Sequence, residues 1–423
     1  MLYTQAQINF VASKIEARIE PWYSAGNNLI QVVNSYANRQ HAATEDFHTP
    51  PFYGDSDENF DAKSGLTLDA HAAHANALAY ALTGNETYAQ KAIYFLNAWS
   101  TVNKTITEND SAGNATGTVL TASNLMPGVL IAADLLMGHD IWTTSDKAQF
   151  KTWIQQVMLP CANSIKGKSN NWGDWGVFAA ASSYHLLGDK EKLLTEINRM
   201  KTRIDIHQDD DGSMPQETRR GVNGLWYTYF ALTPITLSAQ LAYNTTGQDL
   251  FNYTSENGKS IKKALDYLKY YHLHKSEWPW YPMTDSPTTK DAPSDLFEAM
   301  NNFYNREYES LVSPFRPVKG GYKGSRKSHT GWEFPTLMNT YPDASTSDKH
   351  SQIDGKTFVY PNPATNIVIV PGYNSPYLNV YDIAGRFIDL LPTVNPNVYD
   401  VSFLLSGLYF LHVNNKTIKL MKH

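Results

Sequence analysis

The segment Tyr184-His-Leu-Leu-Gly188-Asp189-Lys190 carries the pattern that decides the fold. An apolar, Ala-rich run precedes it, and a second periodic run from Lys192 to Ile204 follows it. A glycine just past a helix end, followed by a polar residue that can cap the next helix, is the usual punctuation of a helical hairpin. The segment therefore predicts two antiparallel helices joined by a short turn.

The same punctuation recurs along the chain. The glycines at 84, 138, 188 and 247 share these surroundings and lie 54, 50 and 59 residues apart. A repeat of two helices indicates a repetitive, mainly α architecture, either closed into an α/α toroid or left as an open solenoid. With the helical runs Thr4 to Ala37 and Ser260 to His272, we expect about five hairpins.

The composition changes near residue 345. The stretch from Asp343 to Gly355 is small and polar, which is typical of a linker. Beyond it, short β-branched and aromatic runs separated by turns predict a small antiparallel β-sandwich. The predicted domains are a helical domain at 1–343, a linker at 344–356 and a β-domain at 357–423.

The overall composition limits the function classes. Tyr and Trp are abundant at 26 and 10, while charged residues make up 18%, a balance common in proteins that bind sugars. A net charge of −6 without a basic block excludes a broad nucleic-acid surface but allows an anionic substrate. The lone Cys161 cannot build a disulfide scaffold or a cysteine zinc site. The sequence has no uninterrupted apolar run approaching the ~18 residues of a membrane span, so none is predicted.

Two stretches carry candidate chemistry. Asn170-Asn171-Trp172 precedes a predicted helix, so an asparagine can serve as an N-cap, and Trp172 and Trp175 can be core residues. In the second stretch Arg220 and Tyr227 are seven residues apart, which would place both on one side of a helix. An amide, a guanidinium and a phenol suit removal of a proton next to a carboxylate, as at C5 of a uronic acid. The amide and guanidinium would stabilise the charge on the carboxylate, and the phenol would act as base and then as acid; Arg220 would lower its pKa. This chemistry needs no metal and no cofactor.

These motifs resemble the alginate lyase superfamily, in particular polysaccharide lyase family 5 and the related family 38. The family signature Asn-Asn-His-x-x-Trp corresponds to Asn170-Asn171-Trp172-Gly-Asp-Trp175. The block Pro-x-Glu-x-x-Arg followed by Tyr corresponds to Pro215-Gln-Glu217-Thr-Arg219-Arg220 and Tyr227. The resemblance implies an α/α toroid that cuts 1,4-linked uronic acid polymers by β-elimination. It assigns Asn171 and Arg220 to carboxylate neutralisation and Tyr227 to base and acid.

The signature departs from the family at one position, where Trp172 replaces a histidine. That histidine is the candidate base when the C5 proton faces away from the leaving group. We therefore expect the syn route with Tyr227 alone, which favours mannuronate or glucuronate over guluronate.

Further residues are candidates for substrate binding. Those that could replace the missing histidine or line the cleft are His48, His71 and His74. Those that could stack on sugars, read carboxylates or serve as a second acid/base are Trp172, Trp175, Arg219, Tyr229 and Arg316.

The C-terminal region resembles the type A sorting domain of the Bacteroidota type IX secretion system. The matching residues are Val359-Tyr-Pro-Asn-Pro-Ala364, Val380-Tyr-Asp-Ile-Ala-Gly385, Leu405-Ser-Gly-Leu-Tyr-Phe410 and the basic finish at Lys419, Lys422 and His423. The resemblance implies a secreted or outer-membrane surface protein, exported by that machinery after removal of a signal peptide.

The leading hypothesis is a monomeric, secreted polyuronate lyase, with mannuronate-rich alginate as first substrate and glucuronan as second. A glycoside hydrolase is the first alternative and would need a carboxylate pair, Asp174 with Glu217 or Asp210. A non-catalytic polysaccharide-binding protein is the second.

Overall fold

The computed structural model describes residues 1–53, 56–280, 294–323, 326–340, 359, 362–370, 373, 375–383, 386–395, 397–413 and 416–423. These residues form two compact units, Met1–Thr4 with Lys14–Met338 and Gln5–Ser13 with Asn339–His423. The predicted linker 344–356 lies outside the described residues, so the domain boundaries stay a prediction.

Helices dominate the first unit, which contains every described helix except α1, Gln5–Glu16, most of whose residues (Gln5–Ser13) group with the second unit. The α-helices in chain order are α1 Gln5–Glu16, α2 Trp22–Ser35, α3 Ser56–Thr83, α4 Glu86–Val102, α5 Thr118–Leu125, α6 Pro127–Leu136, α7 Thr144–Trp153, α8 Leu159–Ile165, α9 Asn171–Leu187, α10 Lys190–Ile206, α11 Pro215–Thr218, α12 Gly224–Thr246, α13 Ile261–Leu273, α14 Ser294–Met300 and α15 Glu309–Val312. A π-helical segment, Ile154–Met158, joins α7 to α8. Two short strand pairs, parallel β1 Asp46–Phe47 with β2 Thr105–Ile106 and antiparallel β3 Tyr322–Lys323 with β4 Arg326–Lys327, complete the unit.

The predicted hairpin turns are present. Gly188 follows α9 with φ +78°, a left-handed conformation that favours glycine, and Asp189 then caps α10 by accepting the Lys192 N–H at 3.1 Å. Gly84 has φ +70° between α3 and α4, where Asn85 is the cap. Gly138 differs, because its φ is not positive.

The long helices α3, α9 and α12 form the interior of the unit. Each is buried along most of its length, α3 packing against α4 and α6, and α9 against α8, α10 and α12. A late segment also enters this core: Trp332 is fully buried and donates from Nε1 to Thr236 Oγ1 at 3.0 Å. The first turns of α9 and α12 supply two residues of the candidate site, Asn171 and Tyr227.

The stretch Thr118–Leu136 is long and apolar enough to cross a membrane, which the sequence prediction did not note. Within its most apolar part, 83% of the residues are buried inside the structure, because α5 and α6 are core helices.

The second unit carries an antiparallel sheet in the order β10-β9-β6-β7-β8-β5. The strands are β5 Ile367–Ile369, β6 Tyr377–Tyr381, β7 Phe387–Asn395, β8 Val398–Asp400, β9 Gly407–Val413 and β10 Lys416–Lys422. The longest strand, β7, pairs with both β6 and β8, so the sheet curls around one apolar core that includes Val380, Tyr399 and Leu411. The sequence analysis did not single out β7, which contains the strand-disfavouring Pro392.

Candidate active site

The two adjacent asparagines have different roles. Asn170 is the N-cap of α9, with Oδ1 accepting the Trp172 N–H at 3.2 Å, so the N-cap expectation is confirmed. Asn171 is the first helical residue and is fully buried. In this structure its amide is covered by neighbouring groups, among them the Glu217 carboxylate.

An ion pair fixes the loop that leads into α9. Arg203 of α10 donates to the backbone carbonyls of Lys168 and Asn170 at 2.8 and 2.9 Å. Its Nε also donates to Asp174 Oδ1 at 2.6 Å, and both side chains are buried. The position of Asn171 is thus set by a buried contact from the neighbouring helix.

The Glu217 carboxylate joins this helix start to α11. Its Oε1 accepts the backbone N–H of Asn171, and its Oε2 accepts the Asn171 Nδ2, each at 2.7 Å. Arg220 Nε lies 3.5 Å from Oε2. Burial raises the pKa of Glu217 to about 7 and Asp174 adds to the rise, while the Asn171 hydrogen bonds and Arg220 oppose it. Sequence reasoning considered Glu217 only as half of a hydrolytic pair.

Arg220 and Tyr227 meet, but a continuous helix does not bring them together. Arg220 lies between α11 and the 3₁₀ turn Gly221–Asn223, and Tyr227 is in the first turn of α12. The guanidinium carbon of Arg220 is 4.1 Å from the centre of the Tyr227 ring, within cation–π range. Amide, guanidinium and phenol are thus connected, Asn171 through Glu217 to Arg220 and on to Tyr227.

A second phenol completes the group. Tyr53, in the loop between β1 and α3, places its hydroxyl 2.6 Å from that of Tyr227, although its side chain is 79% exposed. Sequence reasoning named His48, from the same loop, as a candidate for substrate binding and did not name Tyr53. The Pro-rich composition of this loop was the sequence feature that could have drawn attention to Tyr53.

The pKa of Tyr227 does not move in the predicted direction. Burial raises it above its ordinary value, the hydrogen bond with Tyr53 raises it further, and Arg220 opposes the rise without reversing it. The expectation that Arg220 would leave a lowered pKa was wrong, because burial of the phenol outweighs one partly exposed cation.

Four predicted substrate-binding residues are used inside the fold instead. Trp175 is fully buried against Phe230 and His329, so its indole has no face open to a sugar. Arg316 is paired with the carboxylates of Glu298 and Glu309, which occupy its guanidinium. In this structure Trp175 is covered by other side chains and the Arg316 guanidinium is paired, so neither is open to a sugar.

Tyr229 and His74 are excluded for the same reason. Tyr229 is fully buried, and its hydroxyl contacts Asp295 at 2.8 Å and His329 Nε2 at 2.9 Å. His74 is 1% exposed and lies 3.1 Å from the Tyr3 hydroxyl; burial lowers its pKa to about 3. Neither side chain is placed to meet a substrate.

The remaining predicted binding residues stay candidates. Trp172 is partly exposed and its indole lies against Gly117. His71 lines a cavity of about 80 Å³ with Lys319, Lys327 and Glu333. His48 is partly exposed and contacts the Thr107 carbonyl at 2.8 Å through Nδ1, and Arg219 is exposed.

The carboxylate pair needed for a hydrolase is not available at Asp174 or Asp210. Asp174 is fully buried in its pair with Arg203, and Asp210 is exposed and paired with Lys259. Among the residues that the structure describes, no three His, Cys, Asp or Glu side chains are grouped to hold a metal ion.

Comparison with known proteins agrees with this geometry. The profile of the family "Alginate lyase" matches residues 22–278, and that of the "Secretion system C-terminal sorting domain" matches residues 358–423. A curated "Polysaccharide lyase" of Stenotrophomonas maltophilia is 31% identical over 134 residues, which is 30% of this chain but only 38% of that relative.

Solved structures with the same helical architecture are alginate lyases. One from Bacteroides ovatus has a TM-score of 0.62 at 21% identity and covers 75% of this chain and 95% of its own. Alginate lyase A1-III from Sphingomonas species A1 has a TM-score of 0.57 at 16% identity, covering 76% and 94%. At these identities the likeness establishes the fold, so the predicted α/α toroid followed by a small antiparallel β-domain is confirmed.

The family match and the fold identify the protein as a polysaccharide lyase. The chain belongs to the alginate lyase family and carries a type IX secretion sorting domain at its C-terminus. That domain directs it to secretion or to the cell surface.

Proposed function

We propose that the protein cleaves a 1,4-linked polyuronate by β-elimination, with mannuronate-rich alginate as the first substrate and glucuronan as the second. The observation that carries the proposal is the linked set of Asn171, Glu217, Arg220 and Tyr227 at the starts of α9 and α12. Asn171 and Arg220 would bind the C6 carboxylate and stabilise the charge that develops when C5 loses its proton.

Tyr227 would serve as base and acid. Arg220 faces the ring of Tyr227, so a phenolate formed there would lie beside a positive charge, and the Tyr53 hydroxyl is within hydrogen-bond distance of its oxygen. The phenolate takes the C5 proton, the C4=C5 double bond forms as the C4–O4 bond breaks, and the new phenol protonates O4. Proton and electrons balance without another reactant.

The sugar preference follows from Trp172. An indole carries no basic nitrogen, so this position cannot abstract a proton from the face opposite Tyr227. Syn elimination by Tyr227 suits mannuronate or glucuronate, whose C5 proton and leaving group share a face.

The test is to incubate the protein with polymannuronate, polyguluronate and glucuronan and to follow the ultraviolet absorbance of the new double bond. We expect the absorbance to rise fastest with polymannuronate. Tyr227→Phe should lower kcat by about 10²- to 10⁴-fold while keeping substrate binding, because only the proton transfer is lost. The matched control is Tyr80→Phe, which should retain activity. The Tyr80 hydroxyl that it removes lies 3.4 Å from His139.

The other outcomes are decisive too. Reducing ends without absorbance would indicate a hydrolase, and binding without either product would indicate a binding protein. Full activity in Tyr227→Phe would move the base to another residue.

A further inference from the structure

Glu217 binds one of the two groups that the proposed function assigns to the substrate carboxylate and lies close to the other. Its carboxylate accepts the Asn171 Nδ2 at 2.7 Å and lies 3.5 Å from Arg220 Nε. A uronate carboxylate seeking the same amide and guanidinium has the same charge and shape. In the free protein, Glu217 is therefore positioned as an internal substitute for it.

One atom of the Asn171 amide, its oxygen Oδ1, gains no hydrogen bond from an ionised Glu217. Asn171 Oδ1 is buried and has no hydrogen-bond partner, although a buried acceptor normally has one. An ionised carboxylate only accepts, so it binds the Nδ2 side of the amide and cannot satisfy Oδ1. A protonated Glu217 can donate to the amide oxygen, which would turn Nδ2 away from Glu217.

The charges around Glu217 favour that proton when a second carboxylate arrives. Glu217 faces Asp174 of α9, Arg220 beside α11, and the phenol of Tyr227 on α12. Arg220 is the cation that lies next to Glu217, whereas the negative charge of Asp174 is paired with Arg203. A uronate beside Glu217 would bring a second carboxylate to Arg220, and protonation of Glu217 removes the repulsion between the two.

We propose that Glu217 takes up a proton from solvent when a uronate binds, releasing Asn171 and Arg220 to the carboxylate of the sugar. The inference rests on the proposed function and adds a positioning residue to it. The pKa near 7 in the free protein means that this uptake requires only a modest further rise.

The consequence is a defined pH dependence of binding. At pH below the free-state pKa, Glu217 is protonated with and without ligand, so affinity is flat. Above it, binding must draw in a proton, and affinity falls by up to about tenfold per pH unit until the pKa of the complex is passed.

The experiment is calorimetric titration of the Tyr227→Phe protein with a mannuronate tetramer. It is run at about pH 7.5 in buffers of different ionisation enthalpy, where the slope of the observed heat gives the protons taken up. We expect about 0.5 to 0.75 per tetramer, since about a quarter of Glu217 is already protonated at this pH. Adding Glu217→Gln should reduce the uptake to near zero and make affinity independent of pH between about 6 and 8, because the neutral amide cannot titrate.

Two controls separate charge from structure. The methyl ester of the tetramer carries no carboxylate and should bind without uptake. Glu298→Gln removes another buried carboxylate, one held by Arg316, and should leave the uptake unchanged.

The outcomes distinguish the two proposals. If the wild type cleaves polyuronate with absorbance but Tyr227→Phe binds the tetramer without proton uptake, the Glu217 inference is overturned and the lyase function stands. Uptake that persists in Glu217→Gln also overturns it. If the wild type neither cleaves nor binds a polyuronate, both fail. Should Glu217→Gln not fold, the uptake measured with Glu217 intact and its loss with the methyl ester decide the question.

Discussion

At the scale of single residues, the pair of phenols is the least expected part of the site. Tyr53 is largely exposed and comes from a loop 174 residues before Tyr227, yet their hydroxyls are 2.6 Å apart. Burial holds the pKa of Tyr227 above its ordinary value, so the base needs help to lose its proton. The hydrogen bond with Tyr53 adds to this rise while Tyr227 keeps its proton. After Tyr227 loses the proton its oxygen can only accept, and we propose that the neutral Tyr53 then donates to it.

We therefore expect Tyr53→Phe to lower kcat by about 10- to 100-fold, since a hydrogen bond to a charged oxygen contributes about 1.5 to 3 kcal/mol. The fall should appear in kcat, measured by absorbance at saturating polymannuronate. Tyr80→Phe again provides the reference. An unchanged or higher kcat would show that Tyr53 does not support the phenolate.

At the scale of elements, α10 positions the start of α9. Arg203 binds two loop carbonyls and the Asp174 carboxylate, all within 2.9 Å. Arg199, one turn earlier on the same helix, pairs with Glu196 but is 40% exposed. Arg203 is therefore both more buried and bonded to more groups than Arg199.

Arg203→Met should lower the free energy of unfolding by about 3 to 5 kcal/mol, because it leaves the buried Asp174 without its partner. Arg199→Met should cost less than about 1 kcal/mol, as a partly exposed pair contributes little. Urea unfolding followed by tryptophan fluorescence measures both, since all 10 tryptophans lie between Trp22 and Trp332 in the first unit. Equal losses for the two variants would contradict the role given to burial.

At the scale of the whole molecule, chemistry and export reside in different units. Every residue of the candidate site lies in the toroid unit, whereas the sorting-domain match covers 358–423. The sheet in that region has its own apolar core, centred on Val380, Tyr399 and Leu411.

A chain ending at residue 343 should keep kcat/KM on polymannuronate when purified, because the toroid carries the whole site. Expressed with a signal peptide in a host with type IX secretion, the same chain should remain in the cell, while the full chain reaches the surface or medium. Fractionation with the absorbance assay measures both. Loss of activity in the purified short chain would show that the C-terminal region contributes to catalysis.

The sequence by itself determined the helical hairpins, the β-rich tail and the asparagine cap of α9. These features are local, because they depend on neighbours along the chain. Gly188 takes φ +78° at the end of α9, and Asn170 accepts the N–H of Trp172, two residues further on. The family motif also named Asn171, Arg220 and Tyr227, which the structure connects.

Only the tertiary structure decided what surrounds those three residues. Glu217 binds Asn171 across 46 residues, and Tyr53 reaches Tyr227 across 174. Burial removed Trp175 and Tyr229 from the site and reversed the expected pKa shift of Tyr227. Periodicity along a chain shows which face of an element is apolar, but long-range packing decides which polar groups lose water and which partners they find there.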